Sequence, residues 1–270
     1  MHEEVAQLFD LSGKVALVVG GARHLGFDAA SILAAAGADV AITSRSLEHA
    51  EASAENLGRT YGVTSLGLDL DHTDPKQVAD RARRVHDWKG SVDVLVNNAG
   101  GGSGRSGKSS LFERAPEDSA RLIAVNLTGA LSCCREVGRF MADRGSGKII
   151  NIASAGALVG RDRRMYERCK MEGQPIDYAA AKAGVIGMTL DMAAFLAPKG
   201  VYVNAISPGG FARDNLSDQF IKEFSDRTAL GRMGRDGIDL KGAILFLATA
   251  ASDYVVGVNL IVDGGFSIWQ

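Results

Sequence analysis

The sequence predicts an α/β fold: a parallel, doubly wound sheet with helices on both faces. Short β-branched runs alternate with longer amphipathic ones along the whole chain. Several of the short runs are apolar throughout, as strands must be when helices cover both faces of a sheet. The connections are short and the order strand–helix–strand recurs, which favours parallel pairing with ligands gathered at the carboxyl ends of the strands.

Runs at 15–19, 38–43, 64–68, 92–96, 148–152, 201–206 and 259–262 read as strands. Helices are expected over 24–36, 46–61, 75–88, 116–144, 176–196 and 236–249. Two stretches, 100–110 and 155–175, read as loops, and both follow strands at the ligand-binding edge. There is no internal repeat and no Pro/Ser-rich linker, so 1–270 reads as one domain.

Composition narrows the function. A net charge of −2 gives no basic excess with which to grip nucleic acid. Three cysteines, Cys133, Cys134 and Cys169, make neither a disulfide framework nor a zinc spacing, so no metal is expected. They read as reduced thiols in a cytoplasmic protein. The acidic N-terminus does not resemble a signal peptide. No segment reads as a bilayer span, so no membrane partner is expected.

The first strand runs into Gly20-Gly21-Ala22-Arg23-His24-Leu25-Gly26 and then a helix. Glycines at such a turn let backbone approach a pyrophosphate, and the helix N-terminus supplies N–H donors. Taken singly, Gly20 and Gly26 could equally well shape a tight turn. Four more segments follow in order: Asp69-Leu70, Asn97-Asn98-Ala99-Gly100, Asn126 within Val125–Gly129, and Pro208-Gly209 after Ser207. Together these resemble the motifs of the short-chain dehydrogenase/reductase family, over about residues 11 to 265. Two departures are Val19, where threonine is usual, and His24, where the middle glycine is usual. His24 would crowd the pyrophosphate or donate to it.

The resemblance implies a single Rossmann domain and a nicotinamide dinucleotide. It implies contacts from Asp69 and Leu70 to the adenine side, from Asn98, Ala99 and Gly100 along the cofactor, and from Pro208, Gly209 and Phe211 on the nicotinamide side. It also implies a homo-oligomer, commonly a tetramer. Charge argues for the cofactor: Ser44 occupies the ribose 2′ position where an NAD enzyme carries a carboxylate, and Arg45 and Arg23 stand beside it. Two guanidiniums without a carboxylate favour a 2′-phosphate, hence NADP(H) over NAD(H), unless both are ordinary surface arginines.

Hydride transfer to a carbonyl needs a proton donor and a group to hold the developing oxyanion. Tyrosine and lysine at i and i+4 share a helix face and can supply them. Two such pairs exist, Tyr166/Lys170 and Tyr178/Lys182. From Ser154, at the end of the fifth strand, Tyr166 is 12 positions on and Tyr178 is 24, and the family spacing of about a dozen fits Tyr166. Helix continuity points the other way. Gly173 and Pro175 end any helix after Lys170, whereas Ala183–Thr189 carries a small-residue helix onward from Lys182. The assignment is therefore Tyr178 as general acid or base, with Lys182 lowering its pKa, and a loop insertion within 160–175. By resemblance, Lys182 also bonds the nicotinamide ribose, Ser154 orients the substrate oxygen, and Asn126 holds a water linked to Lys182.

Residues 102–109 match the phosphate-binding pattern G-x-x-x-x-G-K-S/T in full. The pattern requires a strand directly before and a long helix directly after, and here Asn97–Gly101 and Pro116 intervene. A nucleotide hydrolase and a non-catalytic dinucleotide-binding protein remain the readings of other classes. The insertion carries Arg161, Arg163, Arg164, Arg168 and Lys170, which would attract a small acidic substrate such as a sugar acid, although a solvated basic loop looks the same in sequence. Segments 174–178 and 230–234 resemble gluconate 5-dehydrogenase-type members. A 3-oxoacyl thioester reductase is the main enzymatic alternative.

Overall fold

The computed structural model describes residues 2–101 and 110–268. Seven strands form one parallel sheet: β1 (Val15–Val19), β2 (Asp39–Ser44), β3 (Ser65–Asp69), β4 (Val94–Asn97), β5 (Gly147–Ile152), β6 (Val201–Pro208) and, anticipating chain order for the edge strand, β9 (Asn259–Val262). The spatial order is β3-β2-β1-β4-β5-β6-β9, the doubly wound Rossmann arrangement. The order reverses between β1 and β4, which opens a crevice at their carboxyl ends.

Side-chain caps start some of the helices. A short α1 (Glu3–Leu8) precedes the sheet, and α2 (His24–Ala35) follows β1. The Ser46 hydroxyl caps α3 (Leu47–Tyr61), and the Asp74 carboxylate caps α4 (Pro75–Lys89), with Pro75 at the first helical position. The long helix expected over 116–144 has the expected ends but is broken within. It divides into α5 (Pro116–Ile123), a π-helical turn (Ala124–Thr128) and α6 (Gly129–Arg144). The expected loop at 155–175 contains a 3₁₀ turn and α7 (Arg163–Arg168). Next come α8 (Ile176–Leu196), β7 (Phe211–Ala212), α9 (Asp218–Ser225), β8 (Gly234–Arg235) and α10 (Lys241–Ala248). Helix α10 starts later than expected because Gly237 holds a φ of +82°.

Alternation along β1 builds two cores. Ala16 and Val18 pack on one face with Leu33 of α2 and Ile244 of α10. Val15, Leu17 and Val19 pack on the other with Val85 of α4 and Met141 of α6. Helix α8, with the turn after it (Ile176–Lys199), is long and apolar enough by length and composition to cross a bilayer, which departs from the sequence expectation. Its Ala181, Val185, Thr189 and Ala193 are buried at i, i+4 spacing, and it packs on β6.

A polar cluster is buried inside the second core. Asn97 Nδ2 donates to Asn151 Oδ1 at 2.9 Å, and Asn151 Nδ2 donates to Thr189 Oγ1 at 3.0 Å. The Cys134 thiol donates to the same Asn151 oxygen. This cluster ties β4, β5, α6 and α8 together directly beneath the crevice. Asn151→Ala removes three buried hydrogen bonds and opens a small cavity, while Asn97 keeps Cys134 and Thr189 keeps the Val185 carbonyl; it is expected to cost about 2–4 kcal/mol, read from urea unfolding.

Candidate active site

A cleft of about 2280 Å³ runs along the carboxyl edge of the sheet. Its dinucleotide end is lined by Gly20, Arg23, His24, Leu25, Ser44, Arg45, Leu70, Asn98, Ala99 and Gly100. Gly26 lies behind this wall: a Cβ there would sit 2.1 Å from the Gly20 carbonyl oxygen, so glycine lets α2 press against the turn. The Asn98 amide donates to that carbonyl at 2.8 Å and locks the turn to the end of β4.

His24 has a left-handed backbone, φ +51°, which accounts for the glycine usual at this position. Its ring turns to Asp236, with Nδ1 3.3 Å from the carboxylate, and the Arg213 guanidinium reaches the same oxygen at 3.5 Å. Arg23 and Arg45 are exposed, and neither makes an ion pair within the described residues. Asp69 does not line the cleft, contrary to expectation. Its carboxylate pairs with Arg81 at 2.9 Å, and the wall is made instead by Leu70, Asp71, His72 and Thr73.

At the other end Ser154, Tyr178, Lys182 and Asn126 come together. Ser154 is held extended at the end of β5, where its hydroxyl also accepts from Gly156 N at 3.1 Å. The Ser154 hydroxyl faces the same end of the cleft as the Tyr178 phenol and favours its ionised form. Lys182, one turn further along α8, is buried, and its ammonium donates to the Ile152 carbonyl at 2.7 Å. Gly100 fits over it: a Cβ there would lie 2.7 Å from Asn126 Oδ1 and 3.3 Å from Lys182 Nζ.

Asn126 sits in the π-helical turn and is fully enclosed. Its amide donates to the carbonyls of Gly101 and Leu122, each at 3.0 Å, and its oxygen accepts from Gly101 N at 2.9 Å. As built, Asn126 pins the chain after β4, and any water relay is left the second lone pair of Oδ1. His72 Nε2 donates to the Val125 carbonyl at 2.7 Å and braces the same turn.

The second tyrosine–lysine pair is not assembled. Helix α7 ends at Arg168, and Lys170 is exposed with a φ of +51°. Tyr166 packs instead against Phe220, with ring centroids 5.7 Å apart.

Burial pushes the Tyr178 phenol above its ordinary value. The Ser154 hydroxyl and the charges of Arg161 and Arg213 pull it the other way. Lys182 was expected to do this, but its ammonium is turned to Ile152 and lies 6.0 Å from the ring centre. Burial in turn pushes Lys182 down to about 8. Pro208, Gly209 and Phe211 line this end from β6 and β7. The P-loop-like segment 102–109 lies outside the described residues.

The insertion forms the outer wall. Met165 of α7 joins Phe220 and Phe224 of α9 and Met233 in a small separate core. Of its cations, Arg164 pairs with Asp162, and Arg168 makes two 2.8 Å contacts with Glu223. Arg161 instead lies over the Tyr178 ring, 5.6 Å from its centre. Neither this contact nor the His24–Asp236–Arg213 group had any signal in the local sequence, because the partners come from distant segments.

The sequence model described as "Enoyl-(Acyl carrier protein) reductase" matches residues 20–267. The chain is 33% identical to a 3-oxoacyl-(acyl-carrier-protein) reductase of Aquifex aeolicus (strain VF5), over 94% of this chain and 98% of that one. It is 34% identical to a D-threitol dehydrogenase of Mycolicibacterium smegmatis, over 96% and 95%. Among solved structures, a gluconate 5-dehydrogenase from Burkholderia cenocepacia J2315 in complex with NADP and tartrate superposes with a TM-score of 0.86. The two are 33% identical, with 98% of this chain and 100% of that one covered.

The left-handed His24 predicts a stability test. His24→Gly is expected to raise unfolding free energy by about 1 kcal/mol in urea titration, less whatever the contact with Asp236 contributes.

Proposed function

The chain belongs to the short-chain dehydrogenase/reductase family, and from that premise we propose that it interconverts a secondary alcohol and a ketone with NADP(H), on a polyol or sugar acid. One observation carries this reading: Ser154, Tyr178 and Lys182 line one end of a cleft whose other end is a glycine turn on a helix N-terminus.

The dinucleotide fits the residues present. Gly20 and Gly26 clear the approach to the pyrophosphate, Asn98, Ala99 and Gly100 line the middle of the path, and Leu70 and Asp71 flank the adenine end. Arg23 and Arg45, without carboxylate partners among the described residues, support NADP(H) over NAD(H). Pro208, Gly209 and Phe211 flank the nicotinamide side. The bound cofactor supplies or accepts the hydride.

Tyr178 gives its proton to the carbonyl oxygen in reduction and takes one from the hydroxyl in oxidation. Ser154 donates to the same oxygen and fixes its position. Lys182, anchored on Ile152, bonds the ribose and adds positive charge behind the phenol. Asn126 holds the floor of the site and, through its remaining lone pair, a water leading to Lys182. The chain is read as one unit, 1–270, in a reducing cytoplasm, where the buried thiols of Cys133 and Cys134 stay free. Exposed apolar side chains on α6 and α8, Leu131, Leu190 and Phe195, and Ile261 on the edge strand support a homo-oligomer, a tetramer by family habit; its solution mass tests this.

A second reading, reduction of a 3-oxoacyl thioester, is favoured by relatives that carry that name. The same Ser154–Tyr178 pair would serve, and thioester against keto-sugar assays separate the two.

Tyr178→Phe is expected to lower kcat at least about a thousandfold with NADPH and a keto-sugar, while Tyr166→Phe costs far less. Full activity in Tyr178→Phe would refute the assignment. Arg45→Ala is expected to raise the KM for NADPH about tenfold and leave that for NADH little changed. Because burial raises the Tyr178 pKa, the phenol keeps its proton through neutrality. Reduction should therefore stay flat with pH from about 6 to 9, while alcohol oxidation, which needs the phenolate, climbs over the same range.

A further inference from the structure

We propose that Arg161 is the receptor for an anionic group of the substrate, so that this cleft selects carboxylate-bearing ketones and alcohols over neutral ones. This rests on the reading of the site as a carbonyl oxidoreductase and narrows its substrate class.

Four observations converge on Arg161. Its guanidinium lies 5.6 Å from the centre of the Tyr178 ring, beside the reacting oxygen. One terminal nitrogen, Nη1, is fixed by the main-chain carbonyl of Gln174 at 2.9 Å. The other, Nη2, is buried without a hydrogen-bond partner, and so is the side-chain oxygen of Gln174. Arg161 makes no ion pair within the described residues, whereas its neighbours Arg164 and Arg168 are neutralised by Asp162 and Glu223.

A guanidinium cannot shed its proton to escape burial, so an enclosed one without an anion is costly unless a ligand brings the anion. Its planar fork fits a carboxylate with two parallel hydrogen bonds. Arg161 also lies against Gly156, where a Cβ would approach Nη2 to 2.9 Å, so the space that admits the guanidinium depends on glycine there. A carboxylate a few bonds from a carbonyl seated on Ser154 and Tyr178 would reach Arg161. The helix carrying Tyr178 starts at Ile176, next to Pro175 and Gln174, so the anion grip and the proton donor belong to one continuous stretch of chain.

The test has a binding arm and a kinetic arm. In thermal melting of the NADP-saturated protein, D-gluconate and tartrate should raise Tm and neutral D-glucitol should not. The shift should vanish in Arg161→Gln and shrink in Gly156→Ala, which keeps the charge but displaces the guanidinium. In kinetics, the ratio of kcat/KM for 5-keto-D-gluconate to that for its neutral counterpart L-sorbose should fall about a hundredfold in Arg161→Gln, the scale of a lost charge-assisted pair. Carboxylates that leave the wild-type Tm unmoved, or a ratio unchanged in Arg161→Gln, would overturn the proposal while leaving the oxidoreductase reading standing. Carboxylate binding lost in Arg161→Gln, without turnover of any ketone in wild type, would uphold the anion site and count against that reading.

Discussion

Much of the site depends on one buried ammonium. Lys182 is almost wholly enclosed, and its ammonium donates to the Ile152 carbonyl at the end of β5. That bond ties α8 to the sheet at the point where the strand ends, and so sets the register of Tyr178 one turn earlier. The cost is visible in the titration: burial lowers the ammonium from 10.5 to about 8. The unfolded chain then binds the proton more tightly between those values. The penalty is present in full at neutral pH and is relieved as pH rises through about 8 towards 10.5. Stability is given up here to hold a charge where a cofactor and a phenol can use it.

Around that cation the chain is fitted closely. Gly100 passes over the ammonium where no Cβ would fit, and Asn126 spends both amide hydrogens fixing the same segment. The π-helical turn that presents Asn126 is braced by His72 from the adjoining loop. These contacts join β4, β5, α5 and α8 at one point. The buried Asn97–Asn151–Thr189 chain lies just beneath and holds the same strands together. Two polar networks are thus stacked inside the sheet–helix sandwich, one at the cleft floor and one beneath it.

The outer half of the cleft follows a different logic. The insertion does not hang as a basic loop. It folds α7 onto α9 through Met165, Phe220 and Phe224, and pairs Arg164 with Asp162 and Arg168 with Glu223. Arg163 donates to the Gln174 carbonyl, Lys170 faces solvent, and Arg161 is turned inward over Tyr178. Extra chain on a scaffold loop has become a wall, and its Arg161 favours the ionised form of the phenol.

What the sequence determined by itself follows local periodicity. All seven sheet strands are legible: the central ones are buried and largely apolar, the edge strands β3 and β9 are short β-branched or apolar runs between turns, and α8 keeps its expected ends because small residues carry it unbroken from Ile176 to Leu196. That Tyr178 and Lys182 share one continuous helix, while Tyr166 and Lys170 do not, was legible for the same reason, against the spacing from Ser154. The break in the helix at Asn126, the short α7 and α9, and the β7–β8 pair were not legible, since each depends on a partner far away in sequence. Only the tertiary structure decided that Asp69 turns to Arg81 and leaves the cleft wall to Leu70 and Asp71. It alone decided that His24 faces Asp236 and that, of five cations on the insertion, Arg161 reaches the site. Side-chain direction at a loop is set by which charges and surfaces fold against it, and no pattern within the loop encodes that.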